Sequence, residues 1–300
     1  MIGWTTRKKY SEPVAIAAFV AAVAVVYFGL FNHDFSVNGL RYADDVERGI
    51  ELFHPNHLLP NFLYRGLYLI VQSAGAVEFR AIWLMQGLNI VAGLVAAAAV
   101  ARVALLRADR MTALLLGAFY AFGFAAWNFA EEPDVYVLPA AAVAVSIAWL
   151  ASRDALGWRA IVGLAALAVF AVLTLQQYVF WYPALLALVA RRDLGPQRRM
   201  KLLALAIVVP AVCLGAYVLA GLWMGQLHGV NGALGWFLGY AWSGQTGFGT
   251  YRPAPDLVPR LLGTILGLGN LAFAYEVILS PVAIGAAIVA CVPVLLIGAR

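Results

Sequence analysis

The sequence predicts an all-α protein, a polytopic bundle of about eight transmembrane helices, and two observations carry this prediction. Of the 300 residues, 64% are hydrophobic and only 12% are charged, whereas roughly a quarter of the residues in an ordinary soluble domain are charged. A soluble chain of this length has no interior large enough for that apolar excess. The second observation is a series of apolar runs long enough to cross a bilayer. We therefore expect a lipid bilayer as the partner of this chain and no nucleic acid.

Eight apolar runs are the predicted spans. They cover residues 13–31, 81–105, 111–129, 135–151, 160–175, 178–190, 202–224 and 277–298. The run 178–190 is short for a complete span and takes in neighbouring residues. The first run follows Arg7-Lys8-Lys9 as a signal peptide would, but it lacks a small-residue cleavage site, so we expect a retained anchor. Residues 57–75 and 261–275 are left open as further spans.

The distribution of Lys and Arg predicts which loops lie on the cytoplasmic face of the membrane and which lie outside. With the N-terminus in the cytoplasm and residues 32–78 outside, the inner face holds 14 of the 20 Lys and Arg residues but only four of the 15 Asp and Glu residues. This bias follows the positive-inside rule. A span at 57–75 would move Arg107 and Arg110 outside, so we place that segment along the membrane surface. We expect a multi-pass protein of the cytoplasmic (inner) membrane whose active face is periplasmic or extracellular.

The chain is predicted to be a single transmembrane domain over 1–300, with external loops at 32–78 and 225–260. Within the first loop, residues 42–53 are predicted to form a helix because apolar side chains recur there every three or four residues. Such a short amphipathic helix is typical of the membrane interface. A second interfacial helix is predicted after Pro60, because proline suits the first turn of a helix.

The first external loop also carries the candidate polar residues. Acidic side chains line one face of 42–53, and a solvated surface helix explains them equally well. His54 and His57 could bind a divalent metal together with a carboxylate. Arg65 lies in an otherwise apolar helix, where it either extends to the membrane surface or meets an anionic headgroup.

A second acidic loop lies between two predicted spans. It contains Glu131, Glu132 and Asp134 without a compensating Lys or Arg, which is costly at a membrane boundary unless the carboxylates are solvated or paired. They could bind a metal, act as an acid–base pair, or face Arg65 and Arg80. An ordinary acidic external loop is the alternative.

Two further stretches of the outer face are candidates for the same site. Gln176-Gln177-Tyr178 is a polar break between two predicted spans. Residues 235–244 are rich in Gly, Trp and Tyr, whose rings could stack on a sugar or simply lie at the membrane interface.

Four stretches of the outer face, in this order, carry a resemblance to a known family. They are residues 42–59, 131–138, 176–185 and 236–240. Together they resemble the GT-C superfamily of membrane glycosyltransferases, which includes protein mannosyltransferases and aminoarabinose transferases. The similarity is closer to bacterial and archaeal polytopic members of that superfamily that are mostly uncharacterised.

The resemblance implies transfer of a sugar from a polyprenyl-phosphate-linked donor to an acceptor hydroxyl on the external side. A carboxylate of the first loop, Asp44 or Asp45, would deprotonate that hydroxyl. Arg65 and His57 would bind the donor phosphate, and His54 with His57 would hold a divalent metal if the enzyme uses one. The remaining expected site residues are Glu131, Glu132 and Asp134 as catalytic or metal-binding groups, and Gln177, Tyr178 and Asn38 as lining groups.

This chain departs from the family pattern at two positions. Close relatives carry an aspartate four residues before the Tyr-Ala pair, where this chain has Asn38, which cannot act as a base. They tend to have histidine where this chain has Gln176-Gln177. With its end at Arg300, directly after a predicted span, the chain is also expected to be a truncated, minimal or inactive member.

Two other functions stay open at the level of the sequence. One is a non-catalytic homologue or scaffold that binds the donor lipid, which Asn38 favours. The other is a transporter of lipid-linked sugars. Against transport, no predicted span carries an isolated carboxylate near its middle, and no inverted repeat is evident.

Overall fold

The computed structural model describes residues 3–76 and 78–238, and every regular element within them is a helix. The described α-helices are α1 Gly3–Gly29, α2 Val37–Arg48, α3 Pro60–Ser73, α4 Ala81–Leu105, α5 Arg110–Ala121, α6 Phe124–Glu131, α7 Val137–Ala151, α8 Trp158–Thr174, α9 Trp181–Ala190, α10 Arg198–Trp223 and α11 Gly229–Leu238. Short 3-10 segments, Gln176–Phe180 and Gly195–Gln197, precede α9 and α10. The predicted all-α class is confirmed for these residues.

Three of the described segments are long and apolar enough to cross a membrane. They are Glu12–Gly29, Ala81–Leu105 and Gly195–Trp223. Helices α5 and α6 make a fourth if they form one span bent by 58°. Helices α7 and α8 match the predicted spans 135–151 and 160–175, but they are only 15 and 17 residues long. These helices indicate a membrane protein with three or four candidate spans in the described residues, fewer than predicted, and the predicted span 277–298 lies outside those residues.

Two of the predicted spans are interrupted. The run 111–129 forms α5 and α6, because Phe122 closes α5 with a 2.8 Å hydrogen bond to the Ala118 carbonyl and Gly123 then adopts an extended backbone. The run 178–190 begins in a 3-10 segment, and its α-helix, α9, has only 10 residues. An apolar run shows what is buried in lipid or protein, but it does not show where the helix breaks.

Helix α2 begins and ends earlier than the predicted helix at 42–53. The Ser36 side chain accepts a 3.0 Å hydrogen bond from the Gly39 N–H and caps the N-terminus. Gly49, with φ of 70°, ends the helix in the left-handed conformation. The apolar periodicity continues past Gly49, so the prediction placed the C-terminal end of the helix too late. The helix predicted after Pro60 is present as α3.

Helix α4 is the centre of the first packed layer and contacts α1, α5, α6 and α7. Gly93 of α4 lets α6 approach closely, since a Cβ at that position would lie 2.8 Å from the Ala130 Cβ. The buried Tyr27 of α1 donates a 2.5 Å hydrogen bond to the Ala121 carbonyl at the end of α5. A second buried cluster joins α8, α9 and α10. Its fully buried side chains include Leu164, Leu185 and Leu205.

The two ends of α8 mark the two ends of the bundle. At one end, loops predicted for the outer face meet, and the Gln176 N–H donates a 2.8 Å hydrogen bond to the Asn56 carbonyl. At the other end, turns predicted for the inner face meet. There the buried Lys201 ammonium donates to the Leu156 and Leu194 carbonyls at 3.0 and 2.7 Å. These contacts bring together two of the predicted outer segments at one end and two of the predicted inner turns at the other. Which end faces the cytoplasm stays a prediction.

Candidate functional site

A polar cavity of about 340 Å³ lies where α2 and the segment after it meet the loops before α7 and after α8. Its volume falls in the range of roughly 300–1,000 Å³ that is usual for small-molecule sites. The lining includes five residues that the sequence proposed for the site, Asn38, Asp45, His54, His57 and Gln177. It also includes residues that the sequence analysis did not propose for the site, among them Arg41, Tyr42, Glu51, Asn56, Asn61 and Tyr136.

Long-range hydrogen bonds hold the turn 54–59 against the bundle and so shape the cavity. The Leu59 N–H donates to the Leu173 carbonyl near the end of α8 at 2.9 Å. The Tyr217 hydroxyl of α10 donates to the Pro55 carbonyl at 2.9 Å. The turn is thus attached to two helices that follow it by more than a hundred residues in the chain.

Asp45 is the buried carboxylate of the cavity, with only 5% of its surface exposed. Burial raises its pKa above the ordinary value, and the charge of Glu51 acts in the same direction, while Arg41 opposes them. The Arg41 guanidinium lies 4.0 Å from the Asp45 carboxylate and 2.5 Å from that of Glu51. Among the described residues, Arg41 is the single Lys or Arg at the cavity wall. The wall therefore carries one cation against two carboxylates.

Glu51 has a strained backbone at this site. Its φ is 44°, and no other non-glycine residue in the described part of the chain has a positive φ. Such a conformation costs about 1–3 kcal/mol and persists only where its surroundings hold it. Arg41 binds the Glu51 side chain, and the Asn61 amide lies 3.4 Å from its carbonyl. Strain of this kind is found most often at functional sites.

His54 and His57 stack against each other in the cavity wall. Their rings are nearly parallel, at 6°, with centroids 4.2 Å apart, and Tyr42 packs edge-on against His57. Burial lowers the pKa of His54 and, with the charge of His54 as the next cause, lowers the pKa of His57 to about 3. Both rings are therefore neutral at pH 7, and His57 brings no positive charge to a phosphate.

The two rings as they are placed do not converge on a single metal ion. A metal bound by imidazole lies close to the plane of the ring, and two stacked parallel planes share no such point. The described residues contain no group of three or more His, Cys, Asp or Glu side chains that could hold a metal.

The acidic residues Glu131, Glu132 and Asp134 are buried beside the cavity but do not line it. Glu131 accepts a short hydrogen bond from the Trp127 indole. Glu132 accepts one of 2.7 Å from the Ser36 N–H, and Asp134 accepts one of 2.6 Å from the following N–H. Burial raises the pKa of Asp134 to about 6. The bond from Ser36 to Glu132 joins this loop to the start of α2, and the other two bonds are local.

Other predicted site residues lie outside the cavity. Asp44 is on the exposed side of α2 and pairs with Arg48 at 3.1 Å. Arg65 donates to the Val46 and Glu47 carbonyls at 2.9 and 2.8 Å, which caps the C-terminal end of α2. Neither side chain lines the cavity that contains Asp45.

Tyr178 lines a second and larger cavity, of about 770 Å³. Its walls are the apolar faces of α4, α5, α6 and α7, including Ala99, Val103, Phe119 and Val143. Gln177 lines the polar cavity and Tyr178 the apolar one. Because Gln177 and Tyr178 are adjacent in the chain, the two cavities lie next to each other.

The predicted external loop 225–260 is described as far as residue 238. The Trp236 indole donates to the Tyr217 carbonyl at 2.7 Å, and the Gln176 amide donates to the Phe237 carbonyl at 2.7 Å. These bonds tie α11 to α10 and to the polar break at 176–178. The remaining aromatic residues of that loop lie outside the described residues.

Comparisons of the chain with family models, with curated proteins and with solved structures find no match.

Proposed function

We propose that this chain is an integral membrane glycosyltransferase. It transfers a sugar from a polyprenyl-phosphate-linked donor to a hydroxyl of an acceptor on the outer face. The observation that carries the proposal is the polar cavity, which brings Asp45, Arg41 and Gln177 together at one end of a bundle of apolar helices. The family resemblance of the external stretches supports the same reaction.

Asp45 is the proposed general base. In the transfer, the acceptor hydroxyl gives its proton to the Asp45 carboxylate while its oxygen bonds to the anomeric carbon of the sugar. The bond between that carbon and the phosphate oxygen breaks, and its electron pair leaves with the polyprenyl phosphate. A buried carboxylate with a raised pKa suits this role, because a base works best when its pKa approaches the working pH.

Arg41 is the proposed partner of the leaving phosphate. Its side chain is 58% exposed, so the guanidinium reaches the rim of the cavity and is accessible to a phosphate at the membrane surface. A fixed cation stabilises the negative charge that develops on the leaving group. In this proposal the phosphate binds at Arg41. The sequence had favoured Arg65 and His57 for that role.

The neighbouring apolar cavity supports a lipid-linked donor. It is large, at about 770 Å³, and its walls come from the apolar helices α4 to α7. The isoprenoid chain of the donor would lie there, with its phosphate near the boundary between Gln177 and Tyr178. Transfer of apolar surface from water into such a groove is favourable at roughly 25 cal/mol per Å².

The test compares two adjacent aspartates that the structure separates. Purified protein is mixed with a pool of polyprenyl-phosphate sugars, and the retained lipid and its turnover are followed by native mass spectrometry. We expect Asp45→Asn to keep the lipid but to lose transfer by about 10²–10⁴-fold, the usual contribution of a general base. Asp44→Asn is the matched comparison, because its carboxylate is exposed and paired with Arg48.

The outcomes of this experiment are distinct. Equal turnover by wild type and Asp45→Asn would refute Asp45 as the base. Failure of the wild type to retain any lipid-linked sugar would refute the glycosyltransferase.

A non-catalytic protein that binds the donor lipid is the second candidate, and Asn38 favours it. This amide lines the cavity at the position where the resembling family carries an aspartate. If the protein binds the donor lipid without catalysis, wild type should retain lipid-linked sugar without consuming it. Asn38→Asp should then raise turnover. Turnover by the wild type that Asn38→Asp does not increase would exclude it.

A further inference from the structure

Two buried polar atoms of the cavity wall have no hydrogen-bond partner among residues 3–76 and 78–238. They are Nδ1 of His57 and Oδ1 of Asn61. Both residues line the polar cavity, and they are only 4% and 1% exposed. Buried polar groups in native proteins are nearly always hydrogen-bonded, so such atoms beside a cavity point to a ligand that completes them.

The chemistry of the two atoms restricts the ligand. The amide oxygen of Asn61 can only accept a hydrogen bond, so the ligand must donate one there. The neutral His57 ring offers either a donor or an acceptor at Nδ1. A hydroxyl group satisfies both atoms whichever form the ring takes, because it donates and accepts. A fully ionised phosphate or carboxylate, in contrast, has no hydrogen to give to Asn61.

The charges of the wall point in the same direction. Arg41 is shared between the carboxylates of Asp45 and Glu51, and both histidines are neutral. With Arg41 proposed as the partner of the phosphate at the rim, the described wall has no second Lys or Arg for an anion farther inside. An unpaired buried anion would be costly there.

We infer that His57 and Asn61 form a subsite for an uncharged, hydroxyl-rich group of the size of a sugar. This inference rests on the proposed function in taking that group to be the sugar of the donor or of the acceptor. It assigns a binding role to Asn61 and replaces the phosphate and metal roles that the sequence suggested for His57. It also separates the sugar, held inside the cavity, from the phosphate at the rim near Arg41.

The test compares polyprenyl phosphate with polyprenyl-phospho-hexose as native mass spectrometry probes. We expect wild type to retain the sugar-bearing lipid about tenfold more strongly, the effect of one or two hydrogen bonds. Asn61→Leu and His57→Phe should retain both lipids equally. The control Gln86→Leu removes another buried amide. Its Oε1 also has no partner within the described part of the chain, but it lies outside the cavity. It should keep the wild-type preference.

Free methyl hexosides distinguish the two sources of the sugar. If they reduce the retention of polyprenyl-phospho-hexose by wild type, the subsite holds the sugar of the donor. If instead they bind beside retained donor, and Asn61→Leu abolishes that binding, it holds the acceptor.

The inference and the proposed function fail separately. Wild type that prefers neither lipid and binds no hexoside overturns the subsite, even where sugar transfer is observed. Wild type that prefers the sugar-bearing lipid but transfers nothing keeps the subsite and overturns the enzyme. If Asn61→Leu does not fold, the comparison of the two lipids on wild type and His57→Phe still decides the matter.

Discussion

The Glu132 carboxylate accepts a 2.7 Å hydrogen bond from the backbone N–H of Ser36, a residue 96 positions earlier in the chain. Ser36 is also the N-cap of α2, so this bond fixes the start of that helix against the second acidic loop. Glu132, which the sequence suggested for catalysis, thereby positions the helix that carries Asp45.

The close approach of α2 to this loop depends on Gly39. A Cβ at this position would lie 2.5 Å from Glu132 Oε1 and 2.9 Å from Pro133 Cγ. We predict that Gly39→Ala lowers the free energy of unfolding by about 1–3 kcal/mol, the usual effect of overpacking. Thermal unfolding in detergent measures it. Gly66→Ala in α3 is the control, because a Cβ added there would meet no atom of the described residues within 4 Å. Unchanged stability of both variants would contradict the packing.

Arg65 is predicted to stabilise α2 rather than to bind the donor phosphate. Its guanidinium caps the Val46 and Glu47 carbonyls, and hydrogen bonds to charged groups contribute about 1.5–3 kcal/mol. Arg65→Ala should therefore lower the unfolding temperature while the folded variant still retains polyprenyl phosphate. If Arg65→Ala lost lipid retention at unchanged stability, Arg65 would be the phosphate-binding residue after all.

Asp134 is predicted to make stability fall as the pH rises. Its folded-state pKa of about 6 lies above the ordinary value of 3.8, so the folded state holds a proton that the unfolded state has released. Stability from this group is complete below about pH 4 and is lost between pH 4 and 6, by up to roughly 3 kcal/mol. Asp134→Asn should flatten this dependence in unfolding experiments, and Asp44→Asn, at an exposed position, is the control.

His57 is predicted to have the opposite effect at acid pH. Its folded-state pKa of about 3 lies below the ordinary value of 6.5, so protonation favours the unfolded chain. Stability from the neutral ring is complete above about pH 6.5 and is lost as the pH falls toward 3. His57→Asn, which keeps a polar atom near Nδ1, should remove this loss. The exposed His33→Asn serves as control, and an identical acid response of all three proteins would contradict the prediction.

The sequence by itself determined the helical class and the apolar segments that became α1, α4 and α10. Composition and hydropathy report these features directly, because a long apolar run is stable only when it is buried in a bilayer or in a protein core. It also named several residues of the cavity. Gln177 was found because polar residues that interrupt apolar runs are few, whereas Asn38 and Asp45 were named through the family resemblance.

Only the tertiary structure decided which acidic residues face the cavity. Asp44 and Asp45 are neighbours, and a difference of about 100° around α2 buries one and exposes the other. The roles of Glu132 and Arg65 depend on partners far away in the chain, Ser36 for the first and the end of α2 for the second. Periodicity describes one element at a time, so it contains no information about contacts between elements. The cavity exists because such contacts bring three distant loops to one end of the bundle.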